Sequence, residues 1–219
     1  MDRQLLNSQG LPMIDMVKII DDIPSFQDAC QECMKYGDVD LELDLKKVTH
    51  EEVATVPLQT WHQDGSHVRY FPKYSALWCE TAKEDAPITQ IISTRLPAVI
   101  AEKYIDEEVV MDFKKTIDEG SFFKFKKESH ARLYAMKANK TPMPLIEKDE
   151  RGYYTRWCPF IKDPDNKYEH LGMIILARDI TNIQWKPNRL VIMENKATLH
   201  RRKPGTYDGD RVLWRAYIR

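Results

Sequence analysis

Three residues, His62, Asp64 and His200, have the types and spacing of a metal site. In extended or turn backbone, residues i and i+2 project to the same side, so His62 and Asp64 can face one ion. His200 follows the strand-like run 189–193 and a short polar turn, and it is the candidate third ligand. Two histidines and one carboxylate on one face of an ion leave three positions open, as in non-haem Fe(II) oxygenases. A 2-oxoacid can fill two of these positions and dioxygen the third.

Strand-like runs that could position these residues lie towards both ends of the chain. They combine β-branched and aromatic residues with alternating polarity. The runs are 39–45, 74–80, 88–94, 189–193 and 211–217, with a weaker one at 171–177. The turn-like segment 82–87 between the second and third runs predicts that these two are neighbouring strands. Antiparallel closure as a sandwich or barrel would bring early and late residues together inside one barrel mouth.

Helical patterns are fewer. Ser25 predicts the N-cap of a short helix, with Asp28 at its third position and Gly37 as its stop. From Pro97 to about Glu119, apolar residues recur at helical spacing, and an irregular basic and aromatic stretch follows through residue 163. We therefore predict one mainly β domain over residues 1–219, with a helical and irregular insertion at about 97–163 that forms a lid.

Composition narrows the class of protein. The chain has 219 residues, and its 33 basic and 34 acidic residues give a net charge of -1, so no electrostatic case exists for nucleic acid or a membrane surface. It contains no apolar run of the roughly 18 residues that a membrane-spanning helix needs, and no secretory pattern at its start. Composition does not decide whether the chain forms a homo-oligomer.

The four cysteines, Cys30, Cys33, Cys79 and Cys158, are too few and scattered for a disulfide framework. This usage favours a reducing cytoplasm. Cys30 and Cys33 form a CxxC, but a zinc site would need two more ligands at suitable spacing. We interpret them as two thiols one turn apart on a helix.

Four landmarks occur in a recognisable order. They are Trp61-His62-Gln63-Asp64, then Thr89, then the segment from Trp185 to Asn195 leading to His200-Arg201-Arg202, and finally Arg211 and Arg215. In type and spacing they resemble the TauD/clavaminate synthase-like group of Fe(II)/2-oxoglutarate-dependent dioxygenases. The resemblance covers residues 61–219 well and the first 60 poorly. It implies a double-stranded β-helix core (a jelly roll, cupin-like), Fe(II) held by His62, Asp64 and His200, and 2-oxoglutarate as co-substrate.

The chain departs from the family pattern at two places. Asn188-Arg189 stand where Gly-Asp is usual, and Glu194 stands where the turn usually has Asp. None of these positions is an iron ligand in the family. The departures therefore concern the start and end of a strand more than the chemistry.

The resemblance also assigns the co-substrate site. Arg215 would hold the distal carboxylate of 2-oxoglutarate through paired hydrogen bonds, and Thr89 would add a hydroxyl donor. Arg211 lies four residues earlier, on the same face of a strand, so it can point into the same cavity. We expect it nearer the iron-bound carboxylate or the substrate.

The implied reaction couples oxidative decarboxylation of 2-oxoglutarate, to succinate and CO2, with hydroxylation of an unactivated C–H bond. Asp64 argues against halogenation, because halogenases of this group have Gly or Ala there. Desaturation, epimerisation and ring closure stay open. Candidate substrate residues suit a small polar metabolite such as an amino acid or organic acid; they are His67, Arg69, Tyr70, Arg156 and Trp157.

Two rival classes use the same ligands. A non-catalytic cupin-like metal-binding protein would not need Thr89, Arg211 and Arg215 at family spacing. A zinc hydrolase would need a general base near the metal pair, and no motif supplies one.

Overall fold

The computed structural model describes residues 14–40, 46–48, 61–66, 72–110, 142–157, 167–203 and 210–219. Three α-helices lie in these ranges: α1 Phe26–Cys33, α2 Ala98–Ala101 and α3 Glu169–Leu176. The first strands are β1 Val17–Ile20, β2 Val39–Asp40, β3 Lys46–Val48, β4 Tyr74–Ala82, β5 Thr89–Ser93, β6 Arg95–Leu96 and β7 Glu108–Val109. The later strands are β8 Met143–Pro144, β9 Ile146–Asp149, β10 Gly152–Thr155, β11 Thr181–Ile183, β12 Leu190–Met193, β13 Thr198–Arg202 and β14 Arg211–Ile218. The chain is mainly β, and no helix in the described ranges has the length and apolar character to cross a membrane.

Two antiparallel sheets face each other. The large sheet has the order β1-β12-β4-β14-β2, with β3 also paired to β14, and the small sheet has the order β11-β5-β13. A buried cluster joins them, with Cys79, Val191 and Leu213 from the large sheet packing against Ile91 and Ile183 from the small one. Burial of these apolar side chains is what holds the sheets together.

The prediction that runs 74–80 and 88–94 are neighbouring strands is wrong. Both runs are strands, β4 and β5, but β4 pairs with β12 and β14 while β5 pairs with β11 and β13. The intervening segment carries the chain from one sheet to the other. A turn signal marks the end of a strand but does not say which sheet the next strand joins.

Helix α1 begins at the predicted N-cap, but its α-helical part ends at Cys33, before the predicted stop at Gly37. The Ser25 hydroxyl accepts from the Asp28 N–H, as an N-cap does, and a 3₁₀ turn, Met34–Tyr36, then leads to Gly37. Gly37 has a φ of 151°, and a Cβ there would lie 2.2 Å from the Arg219 carbonyl oxygen. Only glycine fits this close approach.

The helix predicted from Pro97 to about Glu119 is wrong over its described part. Helix α2 has four residues, turns follow it, and Val109 then pairs with Met143 between β7 and β8. Ala101 and Val109 are both buried in one apolar cluster, but Ala101 lies in helix α2 and Val109 in strand β7, so they do not form one helical stripe. Residues 111–119 lie outside the described ranges.

The weak strand predicted at 171–177 is also wrong, because this segment forms helix α3. Leu171 and Ile175 are its buried residues, four positions apart on one face. They pack with Ile92 and Leu199 on the outer face of the small sheet. A short apolar run fits either a strand or a buried helix, and packing decided between them here.

The described part of the insertion packs on this same outer face. Leu145 and Ile146 join the cluster around Ile92 and Leu199, so hairpin β9–β10 backs the small sheet that carries His200. The lid role stays a prediction, because residues 111–141 and 158–163 lie outside the described ranges.

Candidate metal and co-substrate site

His62 and His200 are brought together by the backbone of the small sheet. The His62 N–H donates to the His200 carbonyl over 3.1 Å, and the His200 N–H donates to the His62 carbonyl over 2.9 Å. Residues directly opposite in an antiparallel pair place their side chains on the same face. The two imidazole ring centroids accordingly lie 4.4 Å apart.

Asp64 is positioned by two sets of hydrogen bonds. Asn195 clamps its backbone: Oδ1 of Asn195 accepts from the Asp64 N–H (2.9 Å), and Nδ2 donates to the Asp64 carbonyl (2.8 Å). The Asp64 oxygen Oδ2 accepts from the Ser75 hydroxyl over 2.8 Å and lies 3.7 Å from His200 Nε2. One ligand atom from each of His62, Asp64 and His200 therefore lies within 4.8 Å of the others.

The charge state of this cluster suits a divalent cation. Burial lowers the pKa of His200 to about 4, and the charges of His62 and Arg215 act in the same direction. Burial opposes ionisation of Asp64, but the charges of His200 and Arg215 outweigh it and hold the pKa of Asp64 below its usual range. Because His200 is uncharged near neutral pH, Arg215 is the lasting countercharge. His200 thus offers a neutral nitrogen and Asp64 a carboxylate, which fits Fe(II).

Arg215 lies nearer the candidate metal ligands than Arg211, which is the reverse of the expected order. Arg215 Nη1 lies 3.8 Å from Asp64 Oδ1, which places Arg215 at the metal end. Arg211 donates to the Thr89 hydroxyl over 3.4 Å and to the Pro87 carbonyl. The structure therefore pairs Thr89 with Arg211 instead of Arg215. Alternation along β14 puts both arginines on one face, but it does not tell which lies nearer the metal.

Two further residues surround Thr89, and sequence reasoning did not select them for the site. The Trp185 indole N–H donates to the Thr89 hydroxyl over 3.0 Å, and the Arg211 guanidinium lies over the Trp185 ring, 5.6 Å from its centroid. Arg202 is buried and stands opposite Thr89 in the register of β13 and β5. The spacing of two residues from His200 was the signal that could have found Arg202.

The candidate substrate residues divide into two groups. Arg156 is buried; its guanidinium bonds to Glu147 and donates to the Ser66 carbonyl over 3.0 Å, just beyond Asp64. Trp157 follows it and is partly buried against the core beside the small sheet. The other three, His67, Arg69 and Tyr70, lie outside the described residues.

Comparison with known proteins defines a class by fold. No protein-family model and no curated protein sequence matches the chain. Solved structures do match, and they are TauD-like alpha-ketoglutarate-dependent dioxygenases and related non-haem iron oxygenases. At about 15% identity the likeness shows a shared fold.

Three of these structures illustrate the match. A putative alpha-ketoglutarate-dependent taurine dioxygenase from Burkholderia xenovorans has 15% identity and a TM-score of 0.65, over 93% of this chain and 78% of that one. AAD-2, in complex with Mn(II) and N-oxalylglycine, has 15% identity and a TM-score of 0.71 over 93% and 82%. The non-haem iron oxygenase OrfP has 15% identity and a TM-score of 0.66 over 94% and 75%.

Proposed function

We propose that this chain is an Fe(II)- and 2-oxoglutarate-dependent dioxygenase that hydroxylates an unactivated C–H bond of a small polar metabolite. The observation that carries the proposal is the His62–Asp64–His200 cluster, which lies between two facing sheets with Arg215 at its edge. The likeness in fold to alpha-ketoglutarate-dependent dioxygenases supports the same reaction class.

We infer that the two sheets form the double-stranded β-helix core expected from the sequence. In support, strands from the early and late parts of the chain alternate in each sheet, as β4 between β12 and β14 and β5 between β11 and β13. Closure of this kind places β13 and the His62 bridge across from β4 and β14. Ser75 on β4 and Arg215 on β14 then reach Asp64 from the facing sheet.

The protein's part in the reaction is to hold the reactants. His62, Asp64 and His200 would bind the ferrous ion through two nitrogens and one carboxylate oxygen. When bound, iron with 2-oxoglutarate and O2 supplies the oxidising chemistry that forms succinate and CO2 and hydroxylates the substrate. Ser75 holds the Asp64 carboxylate in place through one oxygen. A fixed carboxylate keeps the remaining positions on the ion open for the reactants.

Two arginines match the two charged ends of 2-oxoglutarate. Arg215, near Asp64, would contact the carboxylate at the metal end, and Arg211 with Thr89 would hold the distal one. Arg202 adds a third cationic side chain opposite Thr89. Arg202 and Arg211 are buried and Arg215 is partly buried, and guanidinium groups bind carboxylates through paired hydrogen bonds.

The substrate is proposed only as a class. Trp157, Arg69 and Tyr70 would favour an amino acid or organic acid, whereas the Arg156 guanidinium is buried and already paired with Glu147. Desaturation or ring closure would begin with the same hydrogen abstraction, so product analysis must distinguish them. The cytoplasmic location suggested by the cysteines stays a prediction.

The first test is the chelate itself. Anaerobic addition of Fe(II) and 2-oxoglutarate should give a weak visible charge-transfer band, and oxygen with candidate substrates should then give succinate. Binding of the metal without the band and without succinate would instead identify a non-catalytic metal-binding protein. A substrate that raises succinate formation would identify the metabolite.

Removal of one ligand tests the assignment. Asp64→Ala should reduce succinate formation to background, because the ion loses its only carboxylate in the cluster. Asp85→Ala is the matched control, since Asp85 is exposed in the turn after β4 and should leave turnover unchanged. Wild-type turnover in Asp64→Ala would remove Asp64 from the mechanism.

A further inference from the structure

Gln63 stands between two metal ligands, yet its side chain faces away from them into the protein. It is 3% exposed, so its amide must be satisfied by the protein. Its Nε2 donates to the Lys196 carbonyl over 2.7 Å and to the Thr155 carbonyl over 3.2 Å, and its Oε1 accepts from the Trp157 N–H over 2.7 Å. Both N–H donors and the carbonyl oxygen of this amide are therefore used.

The three partners belong to two segments that both concern the site. Thr155 and Trp157 lie at the end of hairpin β9–β10, and Lys196 lies in the turn between β12 and β13. In that turn, Lys196 follows Asn195, which clamps the Asp64 backbone, and four residues later comes His200. One buried amide thus connects the His62–Asp64 segment to the turn before the third ligand and to the insertion.

These bonds restrict the backbone on which the ligands stand. His62 is paired with His200 through backbone bonds, but Asp64 is followed by a turn whose backbone the small sheet does not hold. The side-chain amides of Gln63 and Asn195 both join this segment to the turn before His200. Partners of metal ligands that fix their orientation typically change metal affinity about 10- to 100-fold when removed.

We propose that Gln63 is a positioning residue for the metal centre. It fixes the relative placement of His62, Asp64 and His200 by bonding to hairpin β9–β10 and to the turn before His200, without touching the metal or either reactant. The inference rests on the proposed function, because it requires that the three ligands bind a divalent ion.

The test compares Gln63→Met with Gln90→Met by titration of Mn(II) alone, with no co-substrate or substrate. Methionine keeps the approximate length and volume of glutamine but removes all the hydrogen bonds that the side-chain amide makes. Gln90 is the matched control, because it is also buried, donates to Asn182 over 3.0 Å and accepts from Arg201 over 2.8 Å on the outer face of β5. Both variants should lose some thermal stability.

Only Gln63→Met should lose Mn(II) affinity, by about 10- to 100-fold, with a changed Mn(II) electron paramagnetic resonance signal. Gln90→Met should bind Mn(II) within about twofold of the wild type. Gln63→Asn, which keeps an amide but shortens it by one methylene, should show a smaller loss and serves if Gln63→Met does not fold.

Wild-type Mn(II) affinity in a folded Gln63 variant would overturn the inference and leave the proposed function intact. Equal losses of affinity in the Gln63 and Gln90 variants would also overturn it, because the effect would then come from general destabilisation. Failure of the wild-type protein to bind Mn(II) would overturn the proposed function itself.

Discussion

At the scale of single residues, the two arginines of β14 lie at different distances from the candidate metal ligands. Arg215 lies beside Asp64, whereas Arg211 bonds to Thr89 and its guanidinium lies over the Trp185 ring. A dianion that spans these two positions would have one carboxylate at each. The two arginines should therefore respond differently to substitution.

Arg211→Ala should weaken 2-oxoglutarate binding by about 30-fold or more while leaving Mn(II) affinity near that of the wild type. The loss corresponds to at least about 2 kcal/mol, the cost of removing one partner from a buried charge pair. Arg215→Ala should also weaken 2-oxoglutarate, but it should raise Mn(II) affinity, because a guanidinium 3.8 Å from the Asp64 carboxylate repels a divalent ion held there. Calorimetric titration of each ligand measures both effects.

Arg201→Ala is the control for this pair of substitutions. Arg201 is on the outer face of β13, with its guanidinium 4.3 Å from the Trp61 ring centroid. Its loss should leave 2-oxoglutarate affinity unchanged. If only Arg215→Ala lost 2-oxoglutarate affinity, Arg215 and not Arg211 would be assigned to the distal carboxylate, as the sequence led us to expect.

The sequence nominated the three candidate ligands but indicated little about what surrounds them. The spacing of His62, Asp64 and His200 was enough to nominate them, because the two-residue rule and the strand before His200 are local signals. Ser75, Asn195 and Gln63 were not nominated. Their partners depend on sheet register, since Asn195 and Asp64 are 131 positions apart, and register is not visible in a single sequence.

At the scale of elements, a buried ionic network attaches the insertion to the large sheet. Glu194, at the end of β12, is 3% exposed and accepts from Arg95 over 2.9 Å and from Arg151. Asp149 accepts two bonds from Arg95, at 2.9 and 2.7 Å, and one from the Arg151 N–H. Glutamate in place of the usual aspartate is one methylene longer, and it reaches both guanidinium groups from the strand end.

Glu194→Gln should lower the free energy of unfolding by about 3 kcal/mol, because two largely buried guanidinium groups lose part of their countercharge. Urea denaturation measures the difference. Glu32→Gln is the control: Glu32 pairs with the exposed Lys35 one turn along, and such surface pairs contribute little to stability. An equal effect in both variants would show that the buried network adds no stability of its own.

Elements were predicted well where the signal is local and poorly where packing decides. Helix α1 has its own N-cap and glycine stop, and β12 and β14 are continuous β-rich runs; all three form where expected. The short α2 and the helical α3 were missed because their apolar residues suit more than one period. Contacts with the small sheet, which the sequence does not display, selected the outcome.

At the scale of the whole molecule, the earliest described strand closes on one of the last. Strand β1 pairs with β12, and beyond its end Asp21 accepts two hydrogen bonds from Arg189, at 2.7 and 3.1 Å, across 168 positions of sequence. Arg189 stands where the family usually has Asp. Its neighbour Asn188 has a φ of 64°, a left-handed conformation that asparagine tolerates better than most residues other than glycine. The departure from Gly-Asp is therefore accommodated by a turn of suitable conformation and a long-range ion pair.

Asp21 should make the stability of the protein depend on pH in acid. Hydrogen bonds from Arg189, helped by Lys186 and opposed by burial, lower the pKa of Asp21 to about 2, from about 3.8. A carboxyl whose pKa is lower in the folded state stabilises that state above about pH 4, and the contribution is lost as the pH falls through 2. Because 35% of the Asp21 side chain is exposed and solvent screens the pair, we expect about 1 kcal/mol.

Asp21→Asn should therefore lower the free energy of unfolding by about 1 kcal/mol at pH 7, and the difference from the wild type should shrink below about pH 4. Urea denaturation at pH 7, 5, 4 and 3 measures it. Asp15→Asn is the matched control, because Asp15 is 89% exposed and lies 3.5 Å from Arg151. If the difference in free energy of unfolding between the variant and the wild type stayed constant down to pH 3, Asp21 would act through packing and not through its charge. Strand β1 would then be held to β12 by the strand pairing alone.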